Sequence, residues 1–346
     1  MRQEICQQPE ALKATIDALL PRRDEVAALA GQTRTVLFIA RGTSDNAAVY
    51  GSYLIQAHAG RLTSLAAPSI ATTYKARIDL SGVLAVALSQ SGRTEEIVET
   101  LIWAKDCGAR TMAITNGGAG SPLAEAAEVA FVTEAGVEQA VPATKTFTCQ
   151  LAALAVLGLG LGLGLGLGVT LDAGQLRAVP DAVSELLARP VDLEPILAKL
   201  AKVPGVVVSG RGMAYAAALE LAIKLKEACY LHAMGLSYAD LLHGPIAVVD
   251  AETPAIVVAA DSGPTLAGTV DLARRVTGAG ASAFGIGGGD ALASACTAAL
   301  AGPALPEWLA PIGLIVPGQL LTEALARRLG INPDQPRGLS KVTQTD

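Results

Sequence analysis

The feature that most constrains the fold of this chain is an order of segments that occurs twice, at an offset of 170 to 172 residues. Each copy contains three apolar runs, with polar turns after the first two and a helical segment before the third: 36–40, 83–88, 94–107 and 111–115, then 206–210, 255–260, 265–277 and 282–286. Strands and helices in this order predict right-handed βαβ units and a parallel sheet with helices on both faces. The repeat therefore predicts an α/β chain of two doubly wound parallel-sheet domains related by duplication.

The predicted domain limits lie where this pattern is interrupted. A Leu-Gly alternation at 157–168, followed by Pro180 and Pro190, separates the two copies. We predict a first domain with an N-terminal helix at 1–157, the Leu-Gly tract and a linker at 158–192, a second domain at 193–330 and a C-terminal tail at 331–346. Ligands of open parallel sheets bind beyond the carboxyl ends of the strands, so the turns after the first two apolar runs are candidate binding sites.

Composition and charge exclude several classes of function. The net charge of -6 and the lack of a basic tract argue against a nucleic-acid partner. The five cysteines are far apart and form no C-x-x-C pair, which favours a reducing compartment over a disulfide framework or a zinc site. The first twenty residues contain no apolar signal-peptide core. We expect a cytoplasmic protein that uses no metal and no organic cofactor.

An uncharged segment at 146–171 is long enough to cross a bilayer. Its second half is the Leu-Gly alternation, and glycine in a helix costs about 1 kcal/mol per residue relative to alanine. The segment also lacks the aromatic belts and basic clusters that flank membrane spans. We therefore predict a buried helix from Thr144 to about Leu157, a tract that leads from it into the linker, and no membrane association.

Three hydroxyl groups and an amide lie within the six residues that follow the run at 83–88: Ser89, Gln90, Ser91 and Thr94. Gly92 lets the backbone approach a ligand, and the following helix supplies N–H groups and positive potential. Phosphate oxygens need several short donors, which hydroxyls provide. A helix cap needs only one hydroxyl, so we interpret residues 89–94, the serine loop, as a phosphate-binding turn. Ser44, after the first apolar run, adds a further hydroxyl.

Glu220, Lys224 and Glu227 are spaced i, i+4 and i+7, on one face of a helix predicted within 216–232. Such a stripe is commonly a solvated salt bridge. The segment is otherwise so apolar that we expect the helix to be buried, and a buried carboxylate beside a lysine is a candidate for proton transfer. The residues alone leave both interpretations open. His243, in a turn before Gly244-Pro245, is a second candidate for moving a proton, although a single histidine is more often structural.

Together these residues resemble a known family. The chain is similar, almost end to end, to the sugar-isomerase region of glutamine:fructose-6-phosphate amidotransferases, which consists of two sugar isomerase (SIS) domains. The matching residues include Glu4-Ile5, Gly42-Thr43-Ser44, the serine loop, Thr144-Lys145, Leu219-Glu220, Lys224-Leu225-Lys226-Glu227, His243-Gly244-Pro245, and Asp334-Gln335-Pro336-Arg337 with Lys341.

The resemblance implies a role for each candidate residue. It places a sugar phosphate on Ser44 and the serine loop. It implies that Glu227 moves a proton between C1 and C2, that His243 opens the sugar ring in the site of a neighbouring subunit, and that Lys341 forms a Schiff base with the keto sugar. Lys224 is a further catalytic candidate. The remaining substrate-binding candidates are Gly42, Thr43, Val141, Thr144, Glu220 and Ser340.

The chain also departs from the family. Residue 2 is arginine and the first strand is predicted near Val36, so we expect no N-terminal glutaminase domain and no glutamine-dependent synthesis. Arg93 stands where the family usually has glutamate, and Met234 breaks another acidic position. A double-SIS chain of this kind resembles the isomerising deaminases, which convert glucosamine 6-phosphate to fructose 6-phosphate and ammonia.

We expect this isomerising deamination, a hydrolytic step coupled to isomerisation, carried out by a homodimer with shared active sites. Two alternatives remain from the sequence. One is a deglycase or isomerase that acts on a fructosamine phosphate or on galactosamine 6-phosphate. The other is a non-catalytic regulator that binds a sugar phosphate.

Overall fold

The computed structural model describes residues 1–163 and 171–341. Two five-stranded sheets, all of whose strand pairs are parallel, form the framework. The strands of the first sheet are β1 (Thr35–Ile39), β2 (Leu62–Leu65), β3 (Val83–Ser89), β4 (Arg110–Thr115) and β5 (Val129–Val132). Those of the second sheet are β6 (Gly205–Gly210), β7 (His232–Ser237), β8 (Ala255–Ala259), β9 (Ala283–Gly287) and β10 (Ala298–Leu300).

The α-helices of the described residues cover both sheets and connect their strands. Those of the first half are α1 (Arg2–Cys6), α2 (Gln8–Leu19), α3 (Arg23–Ala30), α4 (Thr43–Ala59), α5 (Ser69–Thr72), α6 (Glu95–Asp106), α7 (Pro122–Ala126) and α8 (Lys145–Leu163). Those that follow are α9 (Ala173–Arg177), α10 (Val179–Ala188), α11 (Glu194–Leu200), α12 (Ala214–Cys229), α13 (Tyr238–Leu242), α14 (Leu266–Gly278), α15 (Gly289–Ala293) and α16 (Ala310–Arg328). Short 3₁₀ helices lie at Leu20–Arg22 and Pro245–Val248.

The strand orders confirm the predicted duplication. The first sheet has the order β2-β1-β3-β4-β5, and the second, counted from its opposite edge, has the order β7-β6-β8-β9-β10. Each strand of the second sheet therefore occupies the position of its counterpart in the first. Central strands are buried on both faces, as in β3 and β8, which is why they are continuous apolar runs in the sequence.

The described chain forms two compact units that interleave along the sequence. The first-sheet unit contains residues 10–138, the described residues of 145–177, and Ser340 and Lys341. The second-sheet unit contains residues 1–9, 139–144 and 178–339. The sequence predicted domains that follow one another along the chain. In the structure, residues 1–9 belong to the second-sheet unit, and Ser340 and Lys341 belong to the first-sheet unit.

Helix α8 extends six residues beyond its predicted end at Leu157 and into the Leu-Gly tract. Its glycines allow close packing, because a Cβ on Gly158 would lie 2.9 Å from Leu54 Cδ2 and one on Gly160 would lie 2.6 Å from the carbonyl oxygen of Arg23. Helices α9 and α10 also fall within the segment predicted as a linker. Residues 164–168 of the tract lie outside the described residues.

The described part of the chain has one helix, α8, that is long and apolar enough to cross a membrane. The window Lys145–Gly162 is 94% buried inside the protein. A helix covered by protein on this scale is a core helix, as the sequence predicted.

Helix α12 ends earlier than the sequence predicted. The helix stops at Cys229 because Tyr230 takes a left-handed backbone conformation, with φ of 56°. His232, predicted within the helical segment, is instead the first residue of β7. The residues after Tyr230 pair along β6, so strand pairing overrides the helical pattern at this point.

Candidate functional site

The serine loop connects the carboxyl end of β3 to α6, at the sheet edge where ligands of such folds bind. Its backbone is fixed by the neighbouring turn, since Asn116 N–H donates to the Gln90 carbonyl at 3.1 Å and Leu123 N–H donates to the Gly92 carbonyl at 3.0 Å. Gly92 has φ of 63°, in the left-handed region. The loop is therefore a fixed turn built around a glycine, as the sequence predicted.

Two hydroxyl oxygens of the serine loop accept hydrogen bonds from its own backbone. Ser89 Oγ accepts from Gly92 N–H and Ser91 Oγ accepts from Arg93 N–H, each at 3.2 Å, so neither of these bonds uses the serine's own O–H hydrogen. Thr94 is the N-cap residue of α6, yet its side chain makes no cap hydrogen bond. The helix-cap interpretation of this segment accordingly fails for Thr94.

The turn after β1 lies beside the serine loop because β1 and β3 are neighbouring parallel strands, with Ile39 opposite Ala87. An ion pair links the turn after β1 to the first turn of α6, which follows the serine loop. Arg41 Nε and Nη2 donate to the two carboxylate oxygens of Glu96 at 3.0 and 2.9 Å. Both turns precede a helix, so two helix N-termini converge on this edge of the sheet. Helix N-termini present unpaired N–H groups and positive potential, which favour anions.

Ser44 lies in the first turn of α4, where the structure buries it. Its Oγ accepts a hydrogen bond of 2.9 Å from Gln150 Nε2 of α8, which leaves the Ser44 hydroxyl hydrogen to be donated elsewhere. The Gln150 side chain is buried, and its Oε1 has no hydrogen-bond partner among the described residues. Gly42, the N-cap residue of the same helix, has φ of 56° and open space where a Cβ would lie.

The corresponding turn of the second sheet, between β8 and α14, is occupied by a carboxylate of the chain itself. Glu307 Oε1 accepts from Thr265 Oγ1 at 3.1 Å, and its Oε2 would lie 2.4 Å from a Cβ on Gly263. Burial raises the pKa of the Glu307 carboxyl, and the hydrogen bond from Thr265 opposes that rise. The Glu307 side chain therefore fills this turn of the second sheet.

The acid–base face of α12 is buried and is not a solvated stripe. Glu220 and Lys224 have side-chain exposures of 0% and 1%, whereas the Glu227 side chain is 28% exposed. Lys224 Nζ lies 3.4 Å from Glu220 Oε1 and 2.5 Å from Glu227 Oε2. The lysine thus bridges two carboxylates, and Glu227 is the member of the three that solvent reaches.

The remaining candidates are placed as follows. His243 is exposed at the end of α13, where its backbone N–H donates to the carbonyls of Ala239 and Asp240. Val141 N–H donates to the Asp334 carbonyl at 3.0 Å, and the carbonyl of buried Thr144 accepts from Gln319 Nε2 at 3.4 Å. Ser340 is exposed. Thr43 begins α4 and is half-buried.

Lys341 is held inside the first-sheet unit by a glutamate that sequence reasoning missed. Lys341 Nζ donates to Glu138 Oε2 at 2.7 Å, although 203 residues separate them. The Glu138 side chain is fully buried, and that of Lys341 is 25% exposed. Glu138 lies just before α8 with no spacing signal toward the tail, so the sequence offered nothing from which to pair them.

Two further residues were missed for similar reasons. Gln150 lies one turn and a half into an apolar helix, where a lone amide gives no periodic signal. Glu96 looks like an ordinary first-turn acid that favours the helix dipole. Their partners, Ser44 and Arg41, come from another turn of the sheet.

The fold and these groups define a class: a duplicated α/β chain with a serine-rich turn after a central strand of one half and a buried glutamate–lysine–glutamate group on a helix of the other. The SIS domain family model matches residues 29–159 and 199–326. The chain therefore belongs to the SIS domain family.

Known proteins resemble the chain over almost its whole length. It is 34% identical over 343 residues to a Pyrococcus horikoshii protein named glutamine–fructose-6-phosphate aminotransferase (isomerizing), covering 99% of this chain and 57% of that protein. The chain thus spans little more than half the length of this relative. The C-terminal domain of glucosamine-fructose-6-phosphate aminotransferase from Francisella tularensis has a TM-score of 0.87 and 30% identity, with 97% of this chain and 98% of that domain covered.

A second solved structure shares the fold at lower identity. It is a glucosamine-6-phosphate deaminase from Thermotoga maritima, with a TM-score of 0.76, 22% identity and 99% of both chains covered. At this identity the likeness concerns the fold alone.

Proposed function

We propose that the chain is an amino-sugar-phosphate isomerase of the deaminating type, which converts glucosamine 6-phosphate and water to fructose 6-phosphate and ammonia. The similarity to proteins named glutamine–fructose-6-phosphate aminotransferase (isomerizing) supports the broader assignment, a sugar-phosphate isomerase. The observation that carries the proposal is the buried group on α12, in which Lys224 orients a Glu227 carboxylate that solvent reaches.

The proposed chemistry gives each group one task. The serine loop and Ser44 bind the phosphate ester through hydroxyl and N–H donors. His243 assists the opening of the sugar ring. Glu227 takes the C2 proton of the open-chain amino aldose and returns it to C1, which converts the enolamine to a ketimine. Water then adds at C2 and ammonia leaves, with Lys341 available to carry the keto carbon as an adduct.

The test is the kinetics of Glu227→Gln with glucosamine 6-phosphate. Positioned proton transfer contributes about 10² to 10⁴ in rate, so kcat should fall by that order while KM changes little. Because solvent reaches Glu227, the proton that it holds can exchange with D₂O before it is delivered to C1. Product formed in D₂O by the wild type should therefore carry some deuterium at C1, and the variant should form almost no product. Glu185→Gln, an exposed glutamate of α10, is the matched control and should match the wild type. An unchanged kcat in Glu227→Gln would remove this residue from the reaction.

The substrate is tested by ammonia release from glucosamine 6-phosphate, galactosamine 6-phosphate and a fructosamine phosphate. We expect the first to react fastest. Faster release from either of the others would assign the chain to the related deglycase or isomerase reactions, and the exposed Arg93 and Met234 would then be the residues to exchange. Binding without release from any of the three would indicate a sugar-phosphate regulator.

We further propose a cytoplasmic homodimer in which His243 acts in the partner's site; its exposure at the end of α13 supports this. A mixture of inactive His243→Asn and Glu227→Gln proteins should then regain about a quarter of wild-type activity, because each mixed dimer has one complete site. A mixture that stays inactive, although the subunits exchange, would place His243 in the site of its own chain.

A further inference from the structure

Glu138 is a buried carboxylate with two kinds of partner. Thr146 N–H donates to its Oε1 at 3.2 Å and Thr146 Oγ1 donates to its Oε2 at 2.6 Å, at the start of α8. Lys341 Nζ donates to the same Oε2 at 2.7 Å. All of these residues belong to the first-sheet unit.

Capping α8 explains only the first kind of partner. A carboxylate at a helix N-terminus is stabilised by the first N–H groups and by the helix dipole, and Thr146 supplies those contacts. The pair with Lys341 adds a cost, since ordering a lysine side chain loses about 1.5 to 2 kcal/mol of conformational entropy. It also buries most of the lysine side chain, which is 25% exposed, and taking a charged group out of water is unfavourable. Capping the helix does not require the Lys341 side chain.

We propose that Glu138 holds Lys341 at its working position and takes the proton that the ammonium group must lose before its nitrogen can attack a keto sugar phosphate. This inference rests on the proposed function, in which Lys341 forms the adduct. Glu138 Oε2 already accepts a hydrogen bond from the reacting nitrogen, which is the contact that a proton acceptor requires.

The proposed step balances within these groups. Lys341 gives one proton to Glu138, and its lone pair forms the C–N bond while the carbonyl π electrons move to oxygen. A second nitrogen proton and the proton held by Glu138 pass to that oxygen, which leaves as water. The product is a protonated imine with one hydrogen on nitrogen, and Glu138 is again a carboxylate.

The experiment traps the imine with borohydride in the presence of fructose 6-phosphate and locates the label by peptide mass spectrometry. In the wild type the label should fall on Lys341. Glu138→Gln keeps an oxygen for the cap but lacks the charge and the proton acceptor, so its labelling rate should fall by about 100-fold. Thr146→Val is the matched control, because it removes the other donor to the same oxygen and leaves the lysine pair. It should lower the melting temperature and leave the labelling rate within about 3-fold of the wild type.

Equal labelling rates in Glu138→Gln and the wild type would overturn the inference. A parallel loss of labelling in Thr146→Val would also overturn it, because Glu138 would then act through the helix alone. If Glu138→Gln does not fold, Glu138→Asp replaces it. Its carboxylate is one methylene shorter and should slow labelling, and a wild-type rate would again refute the inference. A wild type that is never labelled at Lys341 marks a different failure, that of the proposed role of this lysine.

Discussion

The replacement of Gly92 by alanine tests the close packing on which the serine loop depends. Gly92 has φ of 63°, and a Cβ there would lie 2.6 Å from Ser121 Oγ and 2.7 Å from Thr115 Oγ1. The left-handed conformation costs an L-residue about 1 to 2 kcal/mol. Overpacking adds about 1 to 3 kcal/mol. The loop cannot retreat easily, because the Gly92 carbonyl accepts a hydrogen bond from Leu123 N–H at 3.0 Å.

Gly118→Ala separates these two costs. Gly118 has φ of 83° but nothing within 4 Å of where its Cβ would lie, so this variant carries only the conformational cost. At roughly 2 to 4 °C per kcal/mol, we expect Gly92→Ala to melt about 4 to 20 °C below the wild type, and Gly118→Ala about 2 to 8 °C below.

Thermal unfolding with and without inorganic phosphate measures both stability and binding. Wild type and Gly118→Ala should be stabilised by phosphate, because a ligand that binds the folded state raises the melting temperature. Gly92→Ala should lose most of that stabilisation, since its Cβ displaces the loop that carries the donors. Equal melting temperatures for the two variants, with equal responses to phosphate, would refute the reasoning.

Three further predictions follow from single contacts. Gln150→Leu should raise KM about 5- to 10-fold with little change in kcat, because it removes the hydrogen bond that orients Ser44; an unchanged KM would contradict this. Burial raises the pKa of the Glu307 carboxyl, so the stability that this group contributes falls as the pH rises through that raised pKa. The difference in melting temperature, Glu307→Gln minus wild type, should therefore become more positive from pH 4 to pH 7. A difference that becomes smaller over this range would contradict the prediction. Burial raises the pKa of the Cys149 thiol to about 12, so iodoacetamide at pH 8 should label exposed Cys6 in the folded protein and leave Cys149 unlabelled, as peptide mapping would show.

The sequence by itself determined the duplicated α/β order, because a parallel strand that is buried on both faces consists of consecutive apolar residues and can be recognised locally. The run predicted at 36–40 is β1 at Thr35–Ile39, and that predicted at 83–88 is β3 at Val83–Ser89. The serine loop was visible for the same reason: its glycine and hydroxyls are consecutive in the chain.

The tertiary structure decided what covers each face and which distant groups meet. The spacing of Glu220, Lys224 and Glu227 puts them on one side of a helix, but only packing shows that this side is buried. Which distant side chains meet depends on the path of the whole backbone, and a local sequence pattern does not determine that path. The contact between Glu138 and Lys341, 203 residues apart, is therefore a property of the folded chain alone.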